Sequence, residues 1–332
     1  RERVATPSTR RPRRISIHPT TTSQMASSMT AASSLVSAPV ALRATRRVAS
    51  RATRRASATT PRAAASVETM QGAGGLDAVK ITGGDGSVAT AYLFGGVVTS
   101  FVKDGRDVLY VRPDAVFDKS KPISGGLPHC WPQFGPGDIQ VHGFARNVDW
   151  ALTGMKCDGD DATIEMTLTP NDYTKAMWDK EFKVTQTITV GGGEMKATMK
   201  VINAGKESFD FTGSFHAYFA ADIDAVSVGG LAGCKSLDRL ANEEGVVDGD
   251  VTIAGPVDSV YYDAPAKLSL AVGGGNDVSI SNSGGWKDAV VWSPWTDMEA
   301  CYKEFVCVEP AACGEPVTVP AGGEWEATTV LA

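Results

Sequence analysis

Beyond residue 66, polar and apolar residues alternate with period two over much of the chain. TIEMTLT (163–169), FKVTQTITV (182–190) and EMKATMKVIN (194–203) largely alternate polar and apolar residues. Successive side chains of a strand point to opposite faces, so this pattern predicts half-buried strands. The GGG at 191–193 between the last two runs predicts a hairpin. Residues 268–272 and 278–280, joined by GGGND, predict a second hairpin, and 317–320 with 326–331 a third. Helical periodicity is nearly absent, and 35 glycines and 17 prolines would interrupt helices often. Strands that follow one another without helical crossovers predict an all-β antiparallel sandwich or barrel. The expectation is a single domain over 67–332, long enough to bury a substantial core.

Charge divides the 332 residues into two unlike pieces. Residues 1–66 hold 13 arginines and one acid, a balance of +12, whereas the remainder carries −18. Nucleic-acid binding by the acidic piece is therefore not expected, because phosphates demand a basic surface. Nor is a membrane span, since the apolar run AYLFGGVVTSFV (91–102) is short and broken by glycines. The arginine-, serine- and alanine-rich leader has too few apolar residues to fold alone. Its profile is that of an organelle transit peptide, with a basic arm for an acidic partner as the alternative. Met25 opens the most transit-like stretch and is a candidate start. Serine and alanine directly after it favour the chloroplast over the mitochondrion. The six cysteines, all in the acidic piece, lack paired metal-type spacing and are expected as free thiols.

No GxGxxG, P-loop, GxSxG or HExxH occurs, so dinucleotide, nucleotide, serine-hydrolase and zinc-protease chemistry lack support. Three histidines stand in the acidic piece: His129, His142 and His216. The first two lie in SGGLPHCWPQFGPGDIQVHGFARNVDW (124–150), which reads as a rigid loop with an aromatic-lined surface. Arg146 in that loop is one of only four arginines in the piece, beside Arg106, Arg112 and Arg239. A guanidinium beside aromatic rings suits capture of carboxylate or phosphate, and equally an ion pair with Asp149. In SFHAYF (214–219), strand alternation puts Ser214, His216 and Tyr218 on one face, a cleft wall or a satisfied core position. In EFVCVEP (304–310) it puts Glu309 at the end of an apolar face, where a carboxylate needs a partner, a task or water. A histidine and a glutamate on facing strands would suit proton transfer in both directions. Their ordinary pKa values would let imidazolium and carboxylate coexist near neutral pH.

These motifs resemble the aldose 1-epimerase (galactose mutarotase-like) superfamily, and within it the glucose-6-phosphate 1-epimerase branch that includes plant apospory-associated protein C. GGLPHCWPQFGPG (125–137), HGFARNVDW (142–150), SFHAYFAADI (214–223), VDSVYY (257–262), VVWSPW (290–295) and FVCVEPA (305–311) occur in family order. The resemblance implies a large antiparallel β-sandwich, with His216 as general acid and Glu309 as general base of sugar-ring opening. It implies substrate contacts from Arg146, His142 and Asp258, and a lining role for Gln133. It implies a hexose phosphate as substrate, a monomer, and neither cofactor nor metal. One position departs: Ser124 stands where many members carry an arginine that contacts phosphate, and Lys119, Lys121 or Arg112 would have to supply that charge. The departure leaves two alternatives open, a mutarotase of free aldoses and a catalytically silent sugar-binding protein.

Overall fold

A computed structural model describes residues 64–332, so the basic leader, apart from its last three residues, lies outside the described residues. Three antiparallel sheets make up the domain. The first is a five-stranded meander from Ser66–Gln71 to Arg106–Asp107. A nine-stranded sheet runs from Val251–Thr252 at one edge to Ala151–Asp158 at the other, with Glu194–Asn203 and Glu324–Leu331 near its middle. An eight-stranded sheet carries Val257–Tyr262, Asp288–Ser293, the long strand Phe305–Val319 and Phe209–Phe215 side by side.

The predicted hairpins illustrate how local pattern becomes architecture. Phe182–Gly191 pairs with Glu194–Asn203 from Gly191 opposite Glu194 onwards. The two turn residues between them, Gly192 and Gly193, both take positive φ (62° and 76°), which matches the twist of a two-residue hairpin and suits glycine. Met195, Ala197, Met199 and Val201 then enter the core while Lys196, Thr198 and Lys200 face outward. The second hairpin, Lys267–Ala271 with Val278–Gly284, also forms. The third does not. Phe305–Val319 and Glu324–Leu331 belong to different sheets, so the chain crosses the sandwich between them. Hydrogen bonds of the connecting turn go to Asn203, which gives its N–H to Gly323 and accepts from Gly322.

The inner faces of the two large sheets share one core. Phe211 of the eight-stranded sheet meets Trp325 of the nine-stranded sheet edge-on at 5.1 Å, and Trp286 joins Phe215 and Trp325 at 5.4 and 5.0 Å. Ile81, Ala89, Val98 and Phe101 add the inner face of the meander to the same core. Full burial of each such phenylalanine removes apolar surface worth roughly 1.5–3 kcal/mol.

The loop over 124–150 departs from its expected role. Trp131, Phe144 and Trp150 turn inward and are buried. Trp131 packs edge-on against Phe144, Trp178 and Phe182, and Trp150 gives its indole N–H to the Ala145 carbonyl at 2.9 Å. Large rings find more apolar contact beneath the loop than on it. Of the aromatic side chains in this stretch, Phe134 and His142 line the cavity described next.

Candidate active site

The long strand Phe305–Val319 organises the site through its two faces. Val306 and Val308 enter the core, and Cys307 and Glu309 emerge on the outer face. Register sets Glu309 opposite Val290 and Cys307 opposite Trp292, with Asp258 opposite Trp292 one strand further. On the other flank Ser214 pairs with Ala311. The chain then leaves the ladder for two residues. The His216 N–H goes to the Pro128 carbonyl at 2.9 Å, and pairing resumes with Tyr218 opposite Cys307. Alternation survives this break: Phe215, Ala217 and Phe219 enter the core, while Ser214, His216 and Tyr218 take the outer side.

His216 and Glu309 meet there. Nδ1 lies 3.1 Å from Oε1, although without the alignment of a hydrogen bond. The two residues are 8% and 2% exposed, and both line a cavity of about 180 Å³. That is smaller than the ~300–1,000 Å³ of drug-sized sites and suits a compact ligand. The imidazole is held by rings on three sides: stacked on Tyr218 at 4.8 Å, and crossed by Trp292 at 5.3 Å and His142 at 5.5 Å.

Burial sets the protonation of the pair. It pushes the Glu309 carboxyl up to about 8, partly opposed by the Ser214 hydroxyl, which donates to Oε2 at 3.0 Å. It pushes the His216 imidazole well below its ordinary value, reinforced by His142 and Arg146. Ordinary pKa values, which would make carboxylate and imidazolium the resting forms, therefore do not apply. The pair instead holds one proton near neutral pH, and burial favours its residence on the carboxyl.

His142 adopts a left-handed backbone (φ 66°), its N–H going to the Gly135 carbonyl at 3.0 Å. The Gly135 N–H in turn donates to Nδ1 at 3.2 Å. Burial and the charges of Arg146 and Arg239 lower its pKa to about 3, so the ring is neutral and its proton sits on Nε2 as a donor. Asp258 lines the same cavity; burial raises its pKa while Arg239 opposes the rise, Nη1 being 3.4 Å from Oδ1.

Arg239 lines the cavity too, its guanidinium 5.3 Å from the centre of the Phe134 ring. Sequence reasoning missed it as a site residue. Its signal was scarcity, as one of four arginines in the acidic piece. Trp292 was likewise unassigned although it lies in VVWSPW.

Arg146 sits behind the cavity wall. It donates from Nη2 to the Val141 carbonyl at 3.0 Å, and its buried Nε has no hydrogen-bond partner. Among the described residues no carboxylate pairs with it, and Asp149 is taken by Lys119 at 2.7 Å. Its charge nevertheless acts on His142, His216 and Glu309. Gln133 corrects an expectation. Rather than lining the cavity, its amide braces the loop, donating to the carbonyls of Gly135 and Ile139 and accepting from the Ile139 N–H.

Around Ser124, the carbonyl accepts from the Arg112 N–H at 3.0 Å. Arg112 is held by both oxygens of Asp114, and its charge reaches His216. His129 is not part of the site. It is buried, stacked on Trp150 at 4.6 Å and bonded to Gln186 at 3.0 Å, and burial lowers its pKa to about 4. For a metal, one set of donors among the described residues is dense enough: His216, Cys307 and Glu309.

Fold and site together define an acid–base enzyme on a mutarotase-type sandwich. The sequence matches the Aldose 1-epimerase family over residues 77–332. A Cenchrus ciliaris protein provisionally named glucose-6-phosphate 1-epimerase is 33% identical over 290 residues, which cover 80% of this chain and 87% of that protein. An Escherichia coli K12 protein of the same provisional name is 32% identical over 227 residues, 63% of this chain and 74% of its own. The crystal structure of a provisionally assigned mutarotase from Salmonella typhimurium superposes with TM-score 0.72 at 25% identity, covering 82% of this chain and 94% of that one. A galactose mutarotase-like protein from Clostridium acetobutylicum shares the fold at TM-score 0.68 and 18% identity, over 81% of this chain and 98% of its own. The chain belongs to the aldose 1-epimerase family.

Proposed function

We propose that this protein interconverts the α and β anomers of a hexose 6-phosphate, foremost glucose 6-phosphate, with Glu309 and His216 moving the protons. The observation that carries the reading is the 3.1 Å approach of these two buried groups in one small cavity. The provisional names of the relatives point the same way. Arg239 beside the cavity and the unpaired charge of Arg146 behind it supply positive potential in a domain of net −18, as an anionic sugar requires.

The shared proton gives a closed cycle. With carboxylate on Glu309 and imidazolium on His216, Glu309 takes the O1 proton of the sugar while His216 protonates the ring oxygen, and the ring opens to the aldehyde. Glu309 is then protonated and His216 neutral, which is the distribution burial favours, so the open form meets the pair in its more stable state. Rotation about C1–C2 presents the other face of the carbonyl. Closure returns each proton along its own path and leaves the pair as it began. Asp258 and His142, which line the cavity, hold hydroxyls meanwhile in this reading.

Anomer exchange of glucose 6-phosphate, followed by NMR, is the test. Glu309→Gln and His216→Ala each lower it by about a hundredfold or more; wild-type rates in both variants would overturn the assignment. Ser124 favours a second reading, a mutarotase of free aldoses, and equal rates on glucose and glucose 6-phosphate would support it. Tight sugar binding in calorimetry with no exchange would instead indicate a silent binding protein. The composition of residues 1–66 supports chloroplast import, which a fluorescent fusion tests, and a monomer is the proposed state, checked by sedimentation.

A further inference from the structure

We propose that His216, Cys307 and Glu309 form a binding site for a thiophilic divalent cation such as Zn²⁺ or Cd²⁺, and that its occupation switches the proton-transfer pair off. Cys307 plays no part in the chemistry above, yet the fold delivers it to the same place. It lies two residues before Glu309 on the same strand face and opposite Tyr218, itself two residues beyond His216. One donor atom from each of the three residues falls within 4.8 Å of the others, and all three residues are buried. Imidazole, thiolate and carboxylate are the donor set that zinc accepts. Bonds of ~2.0–2.3 Å in a tetrahedral site bring ligand atoms to roughly 3.3–3.7 Å from one another, a closure within reach of side-chain rotation.

A second observation singles out this cluster. His216 Nδ1 is buried and without a hydrogen-bond partner, although 3.1 Å from Oε1 of Glu309. An unused ring nitrogen beside a carboxylate is poised to share a cation. The cavity, lined by His216 and Glu309, offers a way in and a fourth coordination position for water. The charge also balances. Binding releases one proton from the thiol and one from the carboxyl to solvent, and a dication with one thiolate and one carboxylate is neutral overall. The filled site therefore adds no net charge to surroundings formed by Tyr218, Phe305 and Trp292. With the imidazole lone pair and the carboxylate both engaged, Glu309 cannot take up the O1 proton and His216 cannot become the imidazolium that protonates the ring oxygen.

Metal binding is independent of the catalytic reading, whereas inhibition rests on it, so the two are measured separately. Titration of the reduced full chain with Cd²⁺ alone should produce thiolate-to-metal absorption that saturates at one equivalent. Cys307→Ser, and Cys307→Ala as a second variant, should lose that absorption and weaken cadmium affinity by at least about a hundredfold. Replacement of the exposed Cys157 by serine should leave it intact. In the exchange assay, Cys307→Ser should keep its rate without metal and resist Cd²⁺ concentrations that silence the wild type. Absence of thiolate absorption from the first equivalent, or its persistence in both Cys307 variants, would overturn the site. Absorption that depends on Cys307 with exchange unaffected by Cd²⁺ would keep the site and overturn the switch.

Discussion

Ser214 donates its hydroxyl to Oε2 of Glu309 at 3.0 Å, from the strand that flanks the glutamate on the side of His216. In a fully buried setting this bond opposes the desolvation that keeps the carboxyl protonated. The pH profile of kcat/KM should therefore be bell-shaped. Its alkaline limb falls near 8, where the pair loses its last proton, and its acid limb well below 6.5, where the pair gains a second. Ser214→Ala removes a hydrogen bond to the charged form and should move the alkaline limb upward, by roughly one pH unit. An unmoved limb would mean that Ser214 does not set the carboxyl.

Glu309 costs the fold stability in the same range. Its carboxyl ionises near 4.5 in the unfolded chain but near 8 in the folded one, so the folded state binds the extra proton and stability declines as pH rises between these values. Glu309→Gln escapes this. Its unfolding free energy should exceed that of the wild type, with the gap widening from pH 4.5 to 8 and reaching a few kcal/mol. A constant gap would show that the carboxyl is ionised throughout.

His129→Ala should separate structure from catalysis. It deletes a ring stacked on Trp150 and leaves Gln186 buried without its partner, which should cost about 2–4 kcal/mol in denaturant unfolding. Anomer exchange per folded molecule should stay unchanged. The imidazole is neutral in the fold down to about pH 4 but gains a proton below 6.5 when unfolded. Its contribution to stability is thus complete above 6.5 and lost as pH falls towards 4, and that acid sensitivity should be missing from the variant.

Arg146→Gln removes the charge but keeps an N–H donor for the Val141 carbonyl. KM for glucose 6-phosphate should rise about tenfold while that for glucose hardly moves; equal effects on both sugars would make Arg146 a brace for the Val141 carbonyl only. Arg239→Gln should weaken both sugars, since it also frees Asp258 from its only ion pair among the described residues.

Local alternation determined a great deal by itself. The faces of SFHAYF and FVCVEP were legible because a strand side chain alternates wherever the backbone runs extended, even across the two-residue break at His216 and Ala217. The hairpin at Gly192–Gly193 was legible because the turn and both registers are local. Tertiary structure decided what depends on distant neighbours. The stretches 317–320 and 326–331 have hairpin spacing, but Asn203 and the core around Trp325 draw their strands into different sheets. Gln133 and the tryptophans of 124–150 have the composition of a binding surface, yet the Gln133 amide and the Trp150 indole N–H find their partners inside the loop, and the Trp131 ring finds its apolar contacts beneath it. Arg239 enters the cavity only because Phe134 and Asp258 fold against it. Most of all, the protonation of His216 and Glu309 comes from burial, and burial belongs to the packed whole rather than to any segment of the chain.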